Sequence, residues 1–193
     1  MPPALVLAST SRYRRELLER LRLPFATARP EVDESVAAGE APRATAERLA
    51  CAKARAVAPA HPDALVIGSD QVAHCGATIY GKPGDATGAI AQLRALSGRT
   101  VIFDTALCLL EAATGRCRVR TVPTEVRMRT LAEAEIERYV ALEQPFDCAG
   151  AARSEGLGIS LIESLRGDDP TALIGLPLIA LCAMLREAGV ALP

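Results

Sequence analysis

The sequence predicts an α/β fold, because short apolar runs that suit buried strands alternate with longer segments that suit helices. The first run, residues 4–8, is followed at once by a helix that starts near Ser11. A continuous run of four to eight apolar residues is typical of a buried strand, and alternating strands and helices are typical of α/β proteins. The length of 193 residues suits one domain, or two lobes that share a cleft.

The first half of the chain continues this alternation. Residues 24–30 suit a second strand that leads into an acidic turn, and the alanine-rich residues 43–59 suit a helix, because alanine has the highest helix propensity. Residues 64–70 form another continuous apolar run, which predicts a third strand that ends in Asp70. A hairpin over residues 74–80 follows this strand.

The second half supplies the remaining elements. Pro83 is predicted to open a helix that extends to Leu96, since proline is favoured at the first helical position. Two strands then flank a turn at Gly115, where arginines alternate with apolar residues. Helices are predicted over residues 131–142 and 176–188, so the pattern stays α/β throughout.

Composition disfavours several classes of protein. Half of the residues are apolar, which suits a folded core, and the net charge of −1 creates no long-range field for nucleic acid or anionic lipid. Aromatic residues are only 3% and tryptophan is absent, which disfavours a surface that stacks bases. The alternating arginines around Gly115 leave a nucleic-acid-binding ribbon as an alternative, although a solvated face of an antiparallel pair explains the same pattern. We therefore expect no nucleic-acid partner.

We also expect no membrane partner and a cytoplasmic location. The longest apolar run, residues 171–185, contains Gly175 and Pro177 and is shorter than the ~20 residues of a membrane span. Near the N-terminus the apolar run precedes the arginines, which is the reverse of a secretory signal. The six cysteines include no CxxC pair, so we expect small buried residues in a reducing compartment. His61 and His74 are expected at the surface.

Two cations lie on helix faces that are otherwise apolar. Arg14 shares its predicted face with three leucines, and Lys53 shares its face with Leu49 and two alanines. Lys53 and Lys82 are the only lysines among 22 basic residues, which marks them as positions where a compact charge is needed. The alternatives are that each side chain extends along the core towards water, and that the arginine excess reflects codon composition.

The charges of these cations indicate that the protein binds an anionic ligand. A buried cation is costly without an anion nearby, and Glu34 and Asp70 do not obviously neutralise Arg14, Lys53 and Lys82 together. A polyphosphate would supply the missing negative charge. Asp70 is predicted at the carboxyl end of a strand, which is the usual edge for ligands in such sheets.

Two further features fit a phosphate ligand. Ser9 and Ser11 lie where the first strand turns into its helix, so backbone amides there could face phosphate oxygens, although a simple N-cap explains Ser11 equally well. Glu34 could supply a carboxylate to Mg²⁺, or it could belong to a solvated acidic turn. The sequence has no Walker loop, so it is not a P-loop enzyme.

Several motifs, spread over nearly the whole chain, resemble one family as a set. They include LASTSRYRRELL, PEVDES, IGSDQV, GKP, SEG and IGLPLIALCAML. This set resembles the Maf family of nucleoside triphosphate pyrophosphatases, and most closely its subfamily that hydrolyses 7-methyl-GTP. The resemblance implies one Maf-like domain over residues 1–193, with a mixed twisted sheet, flanking helices and two lobes that enclose a cleft. It also implies hydrolysis of a nucleoside triphosphate to a monophosphate and diphosphate, with Mg²⁺ or Mn²⁺ as cofactor, and it is compatible with a homodimer.

The resemblance assigns roles to individual residues. The family's active-site positions correspond here to Ser9, Arg14, Glu34, Lys53, Asp70 and Lys82. Asp70 is implied to be the general base for the attacking water, and Glu34 and Asp70 are implied to bind the metal. The three cations are implied to hold the phosphates, so that catalysis rests on positioning and charge stabilisation.

Base choice in the family is associated with positions that correspond here to Tyr13, Gln71 and Glu155, where the thymidine and uridine branch carries Arg, Thr and Gln. Methylation at N7 makes guanine cationic, and an aromatic face and a carboxylate favour a cation. Tyr13 stands where this subfamily has Trp, and Arg12 stands where the family usually has Pro. The alternatives are the same reaction on dTTP, UTP or other modified nucleotides, and a nucleotide-binding regulator of cell division with little turnover.

Overall fold

The first five elements of the computed structural model, which describes residues 3–193, confirm the predicted alternation. Strand β1 (Leu5–Ala8) is followed by helix α1 (Arg12–Glu19), and strand β2 (Phe25–Ala28) by helix α2 (Pro42–Val57). Strand β3 covers Leu65–Cys75. All four residues of β1 are buried, as its continuous apolar run predicts.

The prediction that the third strand ends at Asp70 is wrong, because β3 continues for five more residues to Cys75. The added segment turns at Gly76, whose φ of +61° suits glycine, and pairs antiparallel with strand β4 (Thr78–Tyr80). The predicted hairpin is therefore an extension of β3. Asp70 lies in the middle of a strand and not at its end.

The second half follows the predicted order except for one boundary and for the strand over Ile162–Gly167, which the sequence pattern did not predict. Helix α3 (Ala86–Leu96) begins three residues after Pro83, because the Asp85 side chain caps it by accepting a hydrogen bond of 2.7 Å from the Gly88 amide. Strands β5 (Thr100–Glu111) and β6 (Arg116–Met128) come next.

The last elements complete a mixed sheet, as predicted. They are helix α4 (Glu133–Glu143), strand β7 (Ile162–Gly167) and helix α5 (Leu178–Glu187). The strand order is β2-β1-β3-β5-β6-β7, with β4 paired to β3. Strand β1 is parallel to both of its neighbours, whereas β4 and β7 pair antiparallel with β3 and β6.

The chain divides into two compact units. Unit 1 contains the residues up to Asp70 together with Thr105–Val122 and Asp169–Pro193, and unit 2 contains Gln71–Asp104 and Pro123–Asp168. The chain passes from one unit to the other four times, within β3, β5 and β6 and again between Asp168 and Asp169. One domain over residues 1–193 stays a prediction.

Each unit has its own apolar interior. In unit 1, Leu7 of β1, Leu18 of α1 and Leu181 of α5 are fully buried in one cluster. In unit 2, α3 packs against α4, and the side chains of Leu93 and Ile136 are buried. None of the helices formed by residues 3–193 is both long enough and apolar enough to span a membrane.

The arginines of β6 in unit 1 pair with acids at the surface. Arg116 and Arg118 contact Glu111 at 2.6 Å and 3.1 Å, and Arg120 contacts Glu187 at 2.5 Å. This pairing favours the solvated-face interpretation of the alternating arginines over a nucleic-acid-binding ribbon.

Candidate functional site

The centre of the candidate site in unit 1 is a buried lysine between two carboxylates. Lys53 Nζ lies 2.6 Å from Asp70 Oδ1 and 2.7 Å from Glu34 Oε1. The Lys53 side chain is only 6% exposed, whereas that of Glu34 is 54% exposed, so the cluster reaches from the interior to solvent. Charge-assisted contacts of this length are strong and directional, and they hold both carboxylates at one point.

A glycine in β3 allows the helix that carries Lys53 to approach the sheet. A Cβ built on Gly68 would lie 2.1 Å from the Ala50 carbonyl oxygen and 3.0 Å from Ala54, two positions on the buried face of α2. Because Gly68 lacks a side chain, α2 packs directly on β3. Lys53 of that helix face thereby reaches Asp70, two residues beyond Gly68.

Arg14 is held by a backbone carbonyl of unit 1. Its Nε donates to the Gly175 carbonyl at 2.9 Å, and the same oxygen accepts from Ser69 Oγ at 3.0 Å. Burial lowers the pKa of the Arg14 guanidinium, and the charges of Asp70 and Glu34 oppose this effect. Arg14 therefore lies close enough to these two acids for their charges to act on it, while a backbone carbonyl orients its side chain.

Gly175 and Ser69 are the contributors that sequence reasoning missed. Gly175 has a φ of +120°, a backbone conformation that residues other than glycine rarely adopt. Its carbonyl oxygen accepts hydrogen bonds from both Arg14 and Ser69. The only signal in the sequence is a glycine within an apolar run shortly before Pro177.

Ser9 and Ser11 form the turn between β1 and α1. Ser9 is buried, and its Oγ accepts from the Ser11 amide at 3.1 Å. The Ser11 side chain accepts from the Arg14 amide at 3.4 Å and caps α1, as the N-cap interpretation predicts. The two serines order the backbone that leads to Arg14.

The predicted phosphate-binding cations and the predicted base-selecting residues are each divided between the two units. Lys82, Gln71 and Glu155 belong to unit 2, where Lys82 is exposed in the turn before α3 and Gln71 follows Asp70 on β3. Glu155 accepts a long hydrogen bond of 3.4 Å from Arg153 Nε. Glu143 accepts from the other end of that guanidinium at 2.8 Å, which anchors the loop that carries Glu155.

The Arg12 guanidinium lies over one face of the Tyr13 ring. The Arg12 guanidinium carbon lies 4.7 Å from the ring centroid, and Arg12 Nη2 donates to the Tyr13 hydroxyl at 2.7 Å. A guanidinium over an aromatic face is a cation–π contact. One face of the ring is therefore covered by Arg12.

The donor set at Lys53 fits a divalent cation. The Asp70 and Glu34 oxygens that contact Lys53 both lie within 2.7 Å of its nitrogen, and Mg²⁺ in proteins usually takes one or two carboxylates together with substrate phosphates. Among residues 3–193, no group of three acidic or histidine ligands converges at this point. The two carboxylates would therefore share the ion with the substrate.

Two expectations about other side chains are wrong. Cys51, Cys108 and Cys117 form a cluster of three thiols, and only Cys108 of these is fully buried. His74 is not a simple surface residue, because its Nε2 lies 3.1 Å from a buried Asp104 carboxylate. Both contacts join residues far apart in the chain, so spacing did not reveal them.

A cavity in unit 1 lies away from these residues. A cavity of about 310 Å³ is lined by Arg55, Pro59, Leu110 and neighbouring residues, and by none of the predicted site residues. Its lining is mostly apolar and contains no acid, so it does not suit a metal-bound phosphate.

Comparisons with known proteins point to one family. Residues 4–188 match the Maf family, described as Maf-like protein. The 7-methyl-GTP pyrophosphatase of Aromatoleum aromaticum is 61% identical over 189 residues, which cover 98% of this chain and 97% of the relative. Proteins of the same name are 58% identical in Thiobacillus denitrificans and 56% identical in Cupriavidus metallidurans, each over 97% of this chain and 94% of the relative.

Proposed function

The chain belongs to the Maf family, and we propose that it hydrolyses 7-methyl-GTP to 7-methyl-GMP and diphosphate, which would remove a modified nucleotide from the pool. The observation that carries this proposal is the buried Lys53, held between Asp70 and Glu34 near Arg14. Relatives that are 53–61% identical to this chain have the name 7-methyl-GTP pyrophosphatase, which supports the choice of base.

The charge of this cluster suits a triphosphate only when a cation is added. Arg14 and Lys53 are positive and Asp70 and Glu34 are negative, so the four side chains are balanced by themselves. Asp70 and Glu34 would hold Mg²⁺ or Mn²⁺, which when bound neutralises phosphate charge and polarises the phosphoryl oxygens. With that ion the cluster carries two net positive charges, which attract the polyphosphate.

The residues of unit 1 would divide the chemistry between them. Water attacks the α-phosphorus, the bond from that phosphorus to the bridging oxygen breaks, and diphosphate leaves. Asp70 accepts the proton of the water, and Lys53 orients Asp70. Arg14 donates to phosphate oxygens with the terminal nitrogens of its guanidinium while Gly175 holds its Nε. Lys82 is proposed to bind the phosphates, and Ser9 to shape the turn below them.

Selectivity for the base is proposed to depend on Tyr13, Gln71 and Glu155. N7 methylation gives guanine a positive charge, which an aromatic face and a carboxylate stabilise. Glu155 can also accept hydrogen bonds from N1 and N2 of guanine. Arg12 is the unfavourable element, since its charge lies over the Tyr13 ring that the methylated base would use.

A substrate panel tests the proposal. Purified protein is incubated with Mg²⁺ or Mn²⁺ and with 7-methyl-GTP, GTP, dTTP or UTP, and nucleotides, diphosphate and phosphate are quantified separately. We expect 7-methyl-GMP and diphosphate in equal amounts, with the highest kcat/KM for 7-methyl-GTP. Higher kcat/KM for UTP or dTTP would contradict the base assignment, and release of single phosphates would contradict the reaction. Omission of the divalent cation should abolish turnover.

A further inference from the structure

Three thiols from three elements meet in unit 1. Cys51 belongs to α2, Cys108 to β5 and Cys117 to β6. Cys117 Sγ lies 2.9 Å from Cys108 Sγ and 3.9 Å from Cys51 Sγ, and all three sulfurs lie within 4.8 Å of one another. The reaction proposed above uses none of them.

These separations suit coordination of one ion by three sulfurs. Two thiolates bound to tetrahedral Zn²⁺ at ~2.3 Å are about 3.8 Å apart, and the sulfur separations in the cluster lie on both sides of this value. No histidine or carboxylate of residues 3–193 belongs to the same group. An all-sulfur donor set selects soft metals, whereas the carboxylates at Lys53 suit hard ones.

Burial and charge also suit an ion that carries two positive charges. Cys108 is completely buried, while Cys51 and Cys117 are half-buried, so the cluster is partly accessible to solvent. Hydrogen bonding from Cys108 lowers the pKa of Cys51, whereas the same contact and burial raise the pKa of Cys108, so a bound ion must displace the proton of this thiol. Three thiolates around Zn²⁺ have one net negative charge, and the positive charge of Arg55 acts on two of the three thiols.

A disulfide explains less of this arrangement. A Cys108–Cys117 disulfide would join two of the sulfurs and leave Cys51 beside them without a role. It would also need an oxidant, whereas metal binding only needs the thiols to lose protons. Metal binding is the interpretation that uses all three side chains.

We propose that Cys51, Cys108 and Cys117 bind one Zn²⁺ ion, with water as the fourth ligand. The site is separate from the carboxylates of Asp70 and Glu34. Since Cys51 and Lys53 are two residues apart on α2, the ion ties this helix to β5 and β6. Zinc binding should therefore stabilise unit 1, and it should do so whatever nucleotide the protein hydrolyses.

Spectroscopy of the reduced, metal-free chain tests this site directly. Co²⁺ is added as a probe, because thiolate ligands give it a charge-transfer absorption in the near ultraviolet that carboxylates do not give. We expect this band to saturate at one Co²⁺ per chain and to disappear when Zn²⁺ displaces the probe. The melting temperature should rise with Zn²⁺ concentration.

Matched cysteine variants separate this site from other thiols. Cys51→Ser and Cys117→Ser change half-buried positions and should fold, yet both should lose the Co²⁺ band and bind Zn²⁺ more than about tenfold more weakly. Cys182→Ser, a half-buried thiol of α5 outside the cluster, should retain both properties. Asp70→Asn should also keep the band, because the carboxylate site is not involved.

Three results would overturn the proposal. The first is a reduced wild-type chain that shows no Co²⁺–thiolate band. The second is zinc affinity that is equal in Cys117→Ser and Cys182→Ser. The third is a Cys108–Cys117 disulfide in peptide maps of untreated protein, together with no zinc uptake after reduction. Loss of pyrophosphatase activity alone would bear on the proposed function and not on this site.

Discussion

Gly68→Ala should disable the candidate site without changing any charged residue. The new Cβ would lie 2.1 Å from the Ala50 carbonyl oxygen, whereas real Cβ contacts essentially never fall below 3.0 Å. Helix α2 must therefore retreat by roughly 1 Å, because the clash is with backbone and no side-chain rotation relieves it. The Lys53–Asp70 contact, now 2.6 Å, would then exceed the ~3.2 Å limit of a good hydrogen bond.

The magnitude follows from this displacement. A misplacement of about 1 Å in a catalytic group can cost on the order of 100-fold in rate, and overpacking costs about 1–3 kcal/mol of stability. We would measure kcat/KM for 7-methyl-GTP at 25 °C, together with thermal unfolding. Leu185→Ala is the control for lost stability. Truncation of this buried leucine of α5 should cost about 2–5 kcal/mol, and Leu185 is remote from Lys53 in the sequence and has no role in the proposed mechanism. If Gly68→Ala lowers the melting temperature but keeps kcat/KM within about twofold of wild type, the reasoning is refuted.

Two further substitutions test the site, and a pH series tests a contact outside it, between Glu40 and Arg48. Asp70→Asn should lower kcat by about 10²–10⁴-fold, because the proposed general base is lost. The fold should stay intact, because Glu34 still pairs with Lys53. Steady-state kinetics measures kcat, and circular dichroism measures the fold. Arg12→Ala should raise the selectivity for 7-methyl-GTP over GTP by about two- to fivefold in kcat/KM, because it exposes the Tyr13 face. A hydrogen bond from Arg48 lowers the pKa of Glu40 to about 2. The stability that this contact contributes is therefore present above pH ~4.5 and is lost as the pH falls towards 2.

Each of these three predictions has a result that would contradict it. Wild-type kcat in Asp70→Asn would exclude this residue as the base. Unchanged selectivity in Arg12→Ala would show that the Tyr13 face does not bind the base. For the pH prediction, thermal melts between pH 2 and 6 are compared with those of Glu40→Gln. A loss of stability below pH 4.5 that is the same in both chains would rule out the Arg48 contact as its cause.

Local patterns predicted most of the fold because their physical causes are local. The apolar run of β1 and the alternating residues around Gly115 predicted strands, and Ser11 caps α1 as its side chain suggested. The two boundary errors have specific causes. Strand β3 passes Asp70 because it pairs with β4, and α3 starts at Ala86 and not at Pro83 because the Asp85 side chain caps it.

The site was predicted in part, through its unusual residue types. Arg14 and Lys53 stood out as cations on apolar helix faces, and both are at least half-buried near Asp70. Gly175 did not stand out, because it contacts Arg14 through its backbone carbonyl, a group that every residue has. The Cys51–Cys108–Cys117 cluster was missed for a related reason, since its members follow no motif spacing.

By itself, the sequence determined the order of the strands and helices except for β7, the helix N-cap at Ser11 and the presence of cations on apolar faces. These properties depend on periodicity and on hydrogen bonds between residues a few positions apart. Only the tertiary structure decided that Lys53 pairs with both Glu34 and Asp70, and that Gly175 holds Arg14. Such contacts depend on strand order and on how closely a helix packs on the sheet, and neither quantity is encoded in the spacing of residues along the chain.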